Sequence, residues 1–580
     1  MLVQLREALV ATRIPLEGVA ADHARTTLRE MIDQLEDYVL PRLIQFDAPL
    51  LAVIGGSTGA GKSTLTNSLI GERVTEPGVL RPTTRSPVLV HNPVDAKWFD
   101  KSRILPDMAR SSGASTDGRT LQLVPTERLA PGLAILDAPD IDSVDQENRV
   151  LAAQLLSAAD LWLFVTSAAR YADQVPWEFL KTAGERSTAV AIVLDRTAAD
   201  SVREVSSHLA RMLSTRGLGD SPLFTVPETI VDEDGLLPAD AVKPIRDWLD
   251  TLAADADARQ AVVKQTLDGA IKSLGHRTRD VADEARAQAQ VVIQLRADAD
   301  HAYDQAIAAV EKATQDGTLL RGEVLARWQE FVGTGELLKS LEDRISRLRD
   351  RLVGAVKGTP PTAQQVTVAV ESGLETLLTE HAESAAEDAE AAWRSSDAGR
   401  FLLKSSETDL SRASREFRGR AERTVRDWQA GVIDLVREEG ADKRSKARVM
   451  AYGVNGLSVA LMVVVFVHTA GLTGAEAGIA GGSAVLGQKL LEAVFGDQAV
   501  RRLAERARAD LATRVEELFS AERARYHVVV DATGASEELP RRLRGLAVEV
   551  EEARLDDGII ESALSIADEG HREQTGEARL

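Results

Sequence analysis

A short apolar run, Pro49-Leu50-Leu51-Ala52-Val53-Ile54, leads through Gly55 into Gly56-Ser57-Thr58-Gly59-Ala60-Gly61-Lys62-Ser63, and a helix-compatible stretch, Ser63–Ile70, follows. No other feature restricts the fold so sharply. An unbroken apolar run of this length suits a strand covered on both faces, as in a parallel sheet. The glycines let the backbone turn so that several N–H groups point into one anion-sized hollow at a helix N-terminus. The spacing is that of a phosphate-binding loop, G-x-x-x-x-G-K-[ST]. In that reading Gly56, Ser57, Thr58, Gly59, Ala60, Gly61, Lys62, Ser63 and Thr64 line the phosphates. Lys62 brings a point charge to the β- and γ-phosphates, and the Ser63 hydroxyl ligates Mg²⁺. The competing reading, a Gly-rich turn that merely contains Lys-Ser, leaves both the strand before it and the helix after it unexplained.

The apolar pattern returns at Leu133-Ala134-Ile135-Leu136, Leu161–Val165 and Val190–Leu194, with helical stretches between. Strand and helix therefore alternate over 49–250, which predicts a doubly wound α/β domain with a mainly parallel sheet. Two further segments belong to its phosphate site. Leu136 is followed by Asp137-Ala138-Pro139-Asp140, and an acid at the C-terminal end of a buried strand sits where the second Mg²⁺ contact is made; a turn-capping Asp is the alternative. Arg81-Pro82-Thr83-Thr84-Arg85-Ser86-Pro87 precedes Val88-Leu89-Val90. A Thr in such a loop can close over Mg²⁺ and the γ-phosphate, and a Pro-flanked turn accounts for the spacing equally well.

Outside this domain the pattern is helical. Residues 1–48 predict one or two helices packing on the bundle, with Leu5, Leu9, Ile32, Leu35, Val39 and Leu43 at helical spacing. From Ile271 a close-packed, Ala-rich seam runs through Leu274, Thr278, Val281, Ala285, Val292, Leu295, Ala299, Ala302 and Ala306. Further helices are expected over Leu319–Val356, about Ala363–Trp393 and Leu402–Glu438, with breaks at Gly358-Thr359-Pro360-Pro361 and Ser395–Gly399. The expected order is thus an N-terminal helical segment (1–48), the P-loop domain (49–250), a long helical bundle or stalk (251–447), an apolar hairpin (448–490) and C-terminal stalk helices with a frayed tail (491–580).

Val449–Ala475 carries no Asp, Glu, Lys or Arg and includes nine consecutive apolar residues, Val459–Val467. That length reaches the roughly 20 residues needed to cross a bilayer. Ala477–Gln488 is a second, Gly-rich uncharged stretch, and basic residues flank the pair: Lys443, Arg444, Lys446 and Arg448 before, Lys489, Arg501 and Arg502 after. Basic flanks on both sides predict entry and return on one side, hence a membrane hairpin attached from the cytoplasmic side. A hairpin buried inside the helical domain is the alternative.

Composition sets the remaining bounds. With no cysteine, disulfides and thiol catalysis are excluded. The net charge of −21 argues against nucleic acid as a partner. The first residues, MLVQLREALVATRIPLEG, lack the basic start and long apolar run of a secretory signal. The nine His show no metal-ligand spacing.

Taken together, Ala60-Gly61-Lys62-Ser63, the loop Arg81–Pro87 and Asp137-Ala138-Pro139 resemble the dynamin-like GTPases, in the bacterial branch of that superfamily. The resemblance covers about residues 50–200, with the layout of a helix before the GTPase domain and long helices after it also similar. It implies a GTPase acting with Mg²⁺ on GTP, with ATP as the less favoured substrate, and self-association as a dimer or larger. It makes Lys62 and Thr84 the catalytic residues, Ser63, Thr84 and Asp137 the metal ligands, and Asp195-Arg196, after the strand Val190–Leu194, the base-binding pair. The chain departs from the family at three places: Asp140 stands where Gly is usual, Thr58-Gly59 replaces Gln-Ser, and Ala198 falls where the guanine-reading Asp is expected. Two other readings stay open: a nucleotide-gated membrane scaffold with little hydrolysis, and a soluble P-loop ATPase with a buried hairpin.

Overall fold

The computed structural model describes residues 1–75, 86–315, 326–327, 361–439, 463–464 and 491–559, apart from 101–103, 106–107, 114, 116–118, 144–145, 186–187, 493–494 and 557. Thr84, nearly all of the predicted helix Leu319–Val356 and nearly all of the apolar segment 448–490 lie outside the described residues.

The chain opens with α1 (Leu2–Ala11) and α2 (Val19–Gln34), a π-helical turn (Leu35–Val39) and α3 (Leu40–Ile44). Then β1 (Leu50–Gly56), α4 (Lys62–Ile70), β2 (Val88–His91), β3 (Ala109–Ser111), β4 (Thr120–Pro125) and β5 (Leu133–Asp137) follow. After them come α5 (Gln146–Ser157), β6 (Leu161–Ser167), α6 (Gln174–Glu185), β7 (Ala189–Thr197), α7 (Val202–Ser214), β8 (Leu223–Pro227) and α8 (Ala239–Ala254). The strands form one eight-stranded sheet in the order β3-β4-β2-β5-β1-β6-β7-β8. All four apolar runs read from the sequence are strands in it. Every pairing is parallel except β2 with β5, so the sheet is two parallel groups joined at one antiparallel seam.

Strand β1 shows why the run had to be apolar throughout. Leu50, Ala52 and Ile54 enter the core on one face of the sheet, whereas Leu51 and Val53 enter the core on the other. Each large apolar side chain fully buried in this way contributes roughly 1.5–3 kcal/mol. The register sets Ile54 beside Asp137 on one flank, and Gly56 beside Val165 on the other. The acid at the end of β5 thereby arrives at the mouth of the loop that β1 feeds.

By packing, the chain forms two compact units. The first comprises Met1–Ile14, Gly18–Ala287 and the chain from Ser536; the second comprises Pro15–Glu17 and Gln288–Ala535. These limits differ from the sequence divisions at 48, 250 and 490. The N-terminal segment is a case in point: Leu5, Leu9, Met31 and Val39 join the sheet's core, not that of the second unit's helices. The reason is that α9 (Ala256–Gln315), about 90 Å long at 1.5 Å per residue, starts in the first unit. Its Leu267, Ile271 and Leu274 share that core with α1 and with Leu543, Leu546 and Val550 of the last described helix. All the seam positions from Ile271 to Ala306 are buried.

The second unit holds the rest of α9, α10 (Pro361–Arg394), α11 (Asp397–Ser405), α12 (Phe417–Glu439) and α13 (Asp497–Ala532); α14 (Glu538–Leu555) returns to the first. Its core is built on Trp393, Trp428, Tyr303, Tyr526, Phe417 and Phe519. The break after α10 is short because the Ser396 side chain accepts the Gly399 N–H and caps α11. The single helix expected over Leu402–Glu438 is interrupted between Ser405 and Phe417. There Ser406 and Asp409 accept the N–H groups of Thr408 and Ser411, local bonds that compete with the helix. Glu522, fully buried on α13, holds this interruption through the Ser414 N–H at 2.8 Å, its hydroxyl at 2.6 Å, Arg420 and Arg525.

Among the described residues no helix is long and apolar enough to cross a membrane. Val463 and Val464, within the apolar segment, are buried in the second unit's core. The described residues therefore give the multi-pass expectation no support.

Candidate functional site

The loop after β1 depends on glycine at two points. Gly56 has φ +150°, and a Cβ there would overlap the Val165 carbonyl where β6 runs beside β1. Gly61 caps the N-terminus of α4 at φ +95°, and a Cβ there would run into the Asp195 carboxylate. Both conformations are open to glycine and closed to side-chain-bearing residues in this packing. The result is a helix whose first residue, Lys62, sits at the positive end of its dipole, where first-turn N–H groups have no acceptor within the helix, an arrangement that attracts anions. Thr64 lies in the first turn of α4.

Lys62 is buried, and its Nζ donates to Gly56 O at 3.0 Å and Ser57 O at 3.2 Å and pairs with the Asp140 carboxylate. Ser63 Oγ donates to Asp137 Oδ2 at 2.7 Å, and Thr75 Oγ1 donates to the same oxygen at 2.9 Å. The other oxygen, Asp137 Oδ1, is buried with no hydrogen-bond partner among the described residues. Burial raises the Asp137 carboxyl above its ordinary value, against the lowering pull of Ser63, Lys62 and Thr75. An orphaned, buried carboxylate oxygen beside a serine hydroxyl is a hard-oxygen donor pair that suits Mg²⁺. The residues present fit that ion. Its chemistry, when bound, is to neutralise charge on the β- and γ-phosphate oxygens.

Thr75 and its support went unread in the sequence. Asn67, on α4, accepts the Val74 and Thr75 N–H groups at 2.9 Å each and donates to Thr75 O at 2.8 Å, so one side chain fixes the exit of α4 against the site. Also unread were Asp142 and Arg170. Asp142 Oδ1 accepts both the Thr58 N–H and its hydroxyl at 2.6 Å, and Asp142 Oδ2 accepts from Arg170 at 2.6 Å. A signal for Asp142 exists in the three acids of Asp137–Asp142; Arg170, in the loop after β6, carries none.

The pair expected at the base sits at the same place. Asp195 and Arg196 lie near the end of β7, where the pairing with β8 slips by one residue between Leu194 and Thr197. Arg196 absorbs the slip at φ +50°, and its N–H donates to Asp195 Oδ1 at 2.8 Å. Burial raises the Asp195 carboxyl, which lies against Gly61. Asp200 is exposed, bonded to the Ser201 hydroxyl at 3.1 Å. Gly56–Ser63, Asp137, Asp195 and Arg196 are thus gathered around one end of β1, and Thr84 lies outside the described residues.

Residues 51–194 match the model of the Dynamin family. A probable transmembrane GTPase, FZO-like and chloroplastic, from Arabidopsis thaliana is 25% identical over 181 residues, which is 31% of this chain and 18% of that protein's length. The structure of an oligomerised bacterial dynamin pair, described as sensing and tethering membranes, aligns over 95% of this chain and 94% of its own at 12% identity and TM-score 0.38. Toc33 from Arabidopsis thaliana, in complex with Mg²⁺ and GMPPNP, aligns over 40% of this chain and 94% of its own at 13% identity and TM-score 0.25. With its phosphate-loop motif, its sheet and the family match over residues 51–194, the chain contains an α/β P-loop domain that matches the Dynamin family.

Proposed function

We propose that the chain binds Mg-GTP at Gly56–Thr64 and hydrolyses its γ-phosphate, coupling the cycle to conformational change or self-assembly at a membrane. The observation that carries this reading is the convergence of Lys62, Ser63 and Asp137, with its orphaned Oδ1, at the N-terminus of α4. Lys62 and Thr84 are the proposed catalytic residues, Ser63, Thr84 and Asp137 the proposed Mg²⁺ ligands, and Asp195 and Arg196 the proposed contacts of the guanine base. The relatives' activity supports hydrolysis in kind, and the phosphate loop supports where it happens.

The membrane part of the proposal rests on the apolar segment 448–490 and its flanking Lys and Arg side chains. Val463 and Val464 are buried in the second unit's core, so lipid contact by either valine requires it to leave that core. The proposed location is the cytoplasmic face of a membrane, with self-association there and the described helices of the second unit as a helical stalk.

Two substitutions test the catalytic claim. Lys62→Ala should abolish nucleotide binding, whereas Thr84→Ala should retain binding and lose turnover by about 10²-fold or more, in line with the loss of one preorganised transition-state contact. Equal GTP hydrolysis by wild type and Lys62→Ala would refute it. The Asp140 carboxylate paired with Lys62 favours a second reading, a nucleotide-gated membrane scaffold that holds triphosphate and scarcely cleaves it. In a single-turnover assay a scaffold would still hold intact triphosphate after hours.

A further inference from the structure

Two acidic side chains outside the proposed ligand set engage the phosphate loop directly. A lysine ammonium has three N–H donors. On Lys62 two of them meet the loop's own carbonyls, Gly56 O and Ser57 O, and the third meets Asp140. A phosphate oxygen that is to be received by Lys62 has to take the place of one of these acceptors, and the carbonyls belong to the loop that binds it. Thr58 is engaged in the same way, its N–H and hydroxyl both donating to Asp142 Oδ1 at 2.6 Å.

The two acids are held there by the backbone. Ile141, between them, is fully buried, and its N–H donates to Gly56 O at 3.4 Å. With Ile141 driven into the core beneath β1, Asp140 and Asp142 both face the loop. Arg170 grips the second oxygen of Asp142 at 2.6 Å and so holds that carboxylate against Thr58. Asp142 is therefore shared between Thr58 and Arg170, while Asp140 pairs with the same ammonium that a nucleotide needs.

We infer that Asp140 and Asp142 determine specificity for the phosphate tail, as carboxylates that compete with nucleotide phosphates for Lys62 and Thr58. The inference rests on the proposed nucleotide site and deepens it. Each phosphate added to the tail brings more negative charge against the same two acids, so a triphosphate is resisted more strongly than a diphosphate. Arg170 is a positioning residue in this arrangement, acting through Asp142.

The test is the affinity of the full chain for fluorescently labelled guanosine di- and triphosphate with Mg²⁺, measured in wild type, Asp140→Asn, Asp140→Glu and Asp142→Asn. Asn preserves shape and removes charge. Asp140→Asn should tighten triphosphate binding by about tenfold or more, the effect of removing one like charge a few ångströms away near a protein surface. The diphosphate should gain less. Asp140→Glu, which keeps the charge, should leave the wild-type preference in place, an outcome that a purely structural role for Asp140 does not produce. Asp142→Asn should act in the same direction as Asp140→Asn. Unchanged or weaker triphosphate binding in both Asn variants, with the wild type binding normally, would overturn the inference and leave the nucleotide site intact. Absence of binding by every variant and by wild type would overturn the nucleotide site itself.

Discussion

Asp137 is the residue on which the chemistry of the site turns. One of its oxygens is shared by two hydroxyls, the other has no partner among the described residues, and burial holds its carboxyl above the ordinary value of 3.8. Two consequences follow from that sign. Its contribution to folding stability is fully present below pH 3.8 and is lost as pH rises through the raised value, because burial favours the neutral form. Ligation of Mg²⁺ needs the ionised form, so it runs the other way. The enhancement of nucleotide binding by Mg²⁺ should therefore fade on acidification before pH 3.8 is reached; titration of nucleotide with and without Mg²⁺ across that range measures it. An Mg²⁺ effect undiminished down to 3.8 would contradict the assignment. The loop residues around Asp137 were legible in sequence because their chemistry is local: eight consecutive positions carry the whole instruction. Thr58–Asp142 and Asp142–Arg170 were not, since they join positions 84 and 28 residues apart and nothing in the spacing of either segment points to the other.

At the scale of elements, a single buried acid ties the N-terminal helices to the sheet. Asp160, just ahead of β6, accepts the Leu51 N–H at 2.8 Å and the Tyr38 hydroxyl at 3.2 Å, and pairs with Arg42 at 3.1 Å. Its own carbonyl accepts the Thr266 hydroxyl from α9. The π-helical turn at Leu35–Val39 carries Tyr38 into this network, consistent with such turns marking places where a helix must re-aim a side chain. Asp160→Ala would leave Arg42 buried and unpaired, a change expected to cost about 3–5 kcal/mol. Hydrogen exchange of the β1 and β6 amides reads it: protection should fall in both strands together, and an unchanged pattern would show the pair to be dispensable. The four apolar strands were visible beforehand because burial on both faces leaves no polar position. The antiparallel seam between β2 and β5 was not, as strand direction is set by connections and not by composition. The break between α11 and α12 was missed for a related reason: its apolar spacing fits a helix, and the Ser and Asp side chains that stop it act through backbone N–H groups.

At the scale of the whole molecule, the sequence order and the packing order diverge. Helices from residues 2–44 and 538–555 join the sheet's unit, because α1, the start of α9 and α14 bury one shared apolar surface. That closure brings both ends of the described chain into the sheet's unit, a relation that a linear reading of helical periodicity does not contain. The remaining helices form a second core dense in aromatic side chains. All of these larger consequences, whether turnover, assembly or membrane contact, presuppose that the pocket at the start of α4 takes a triphosphate. Isothermal titration calorimetry of the full chain with GTP and with ATP, each with Mg²⁺, tests this most directly. The account predicts saturable binding of GTP in preference to ATP, abolished in Lys62→Ala. Heat changes indistinguishable from dilution for both nucleotides would contradict it.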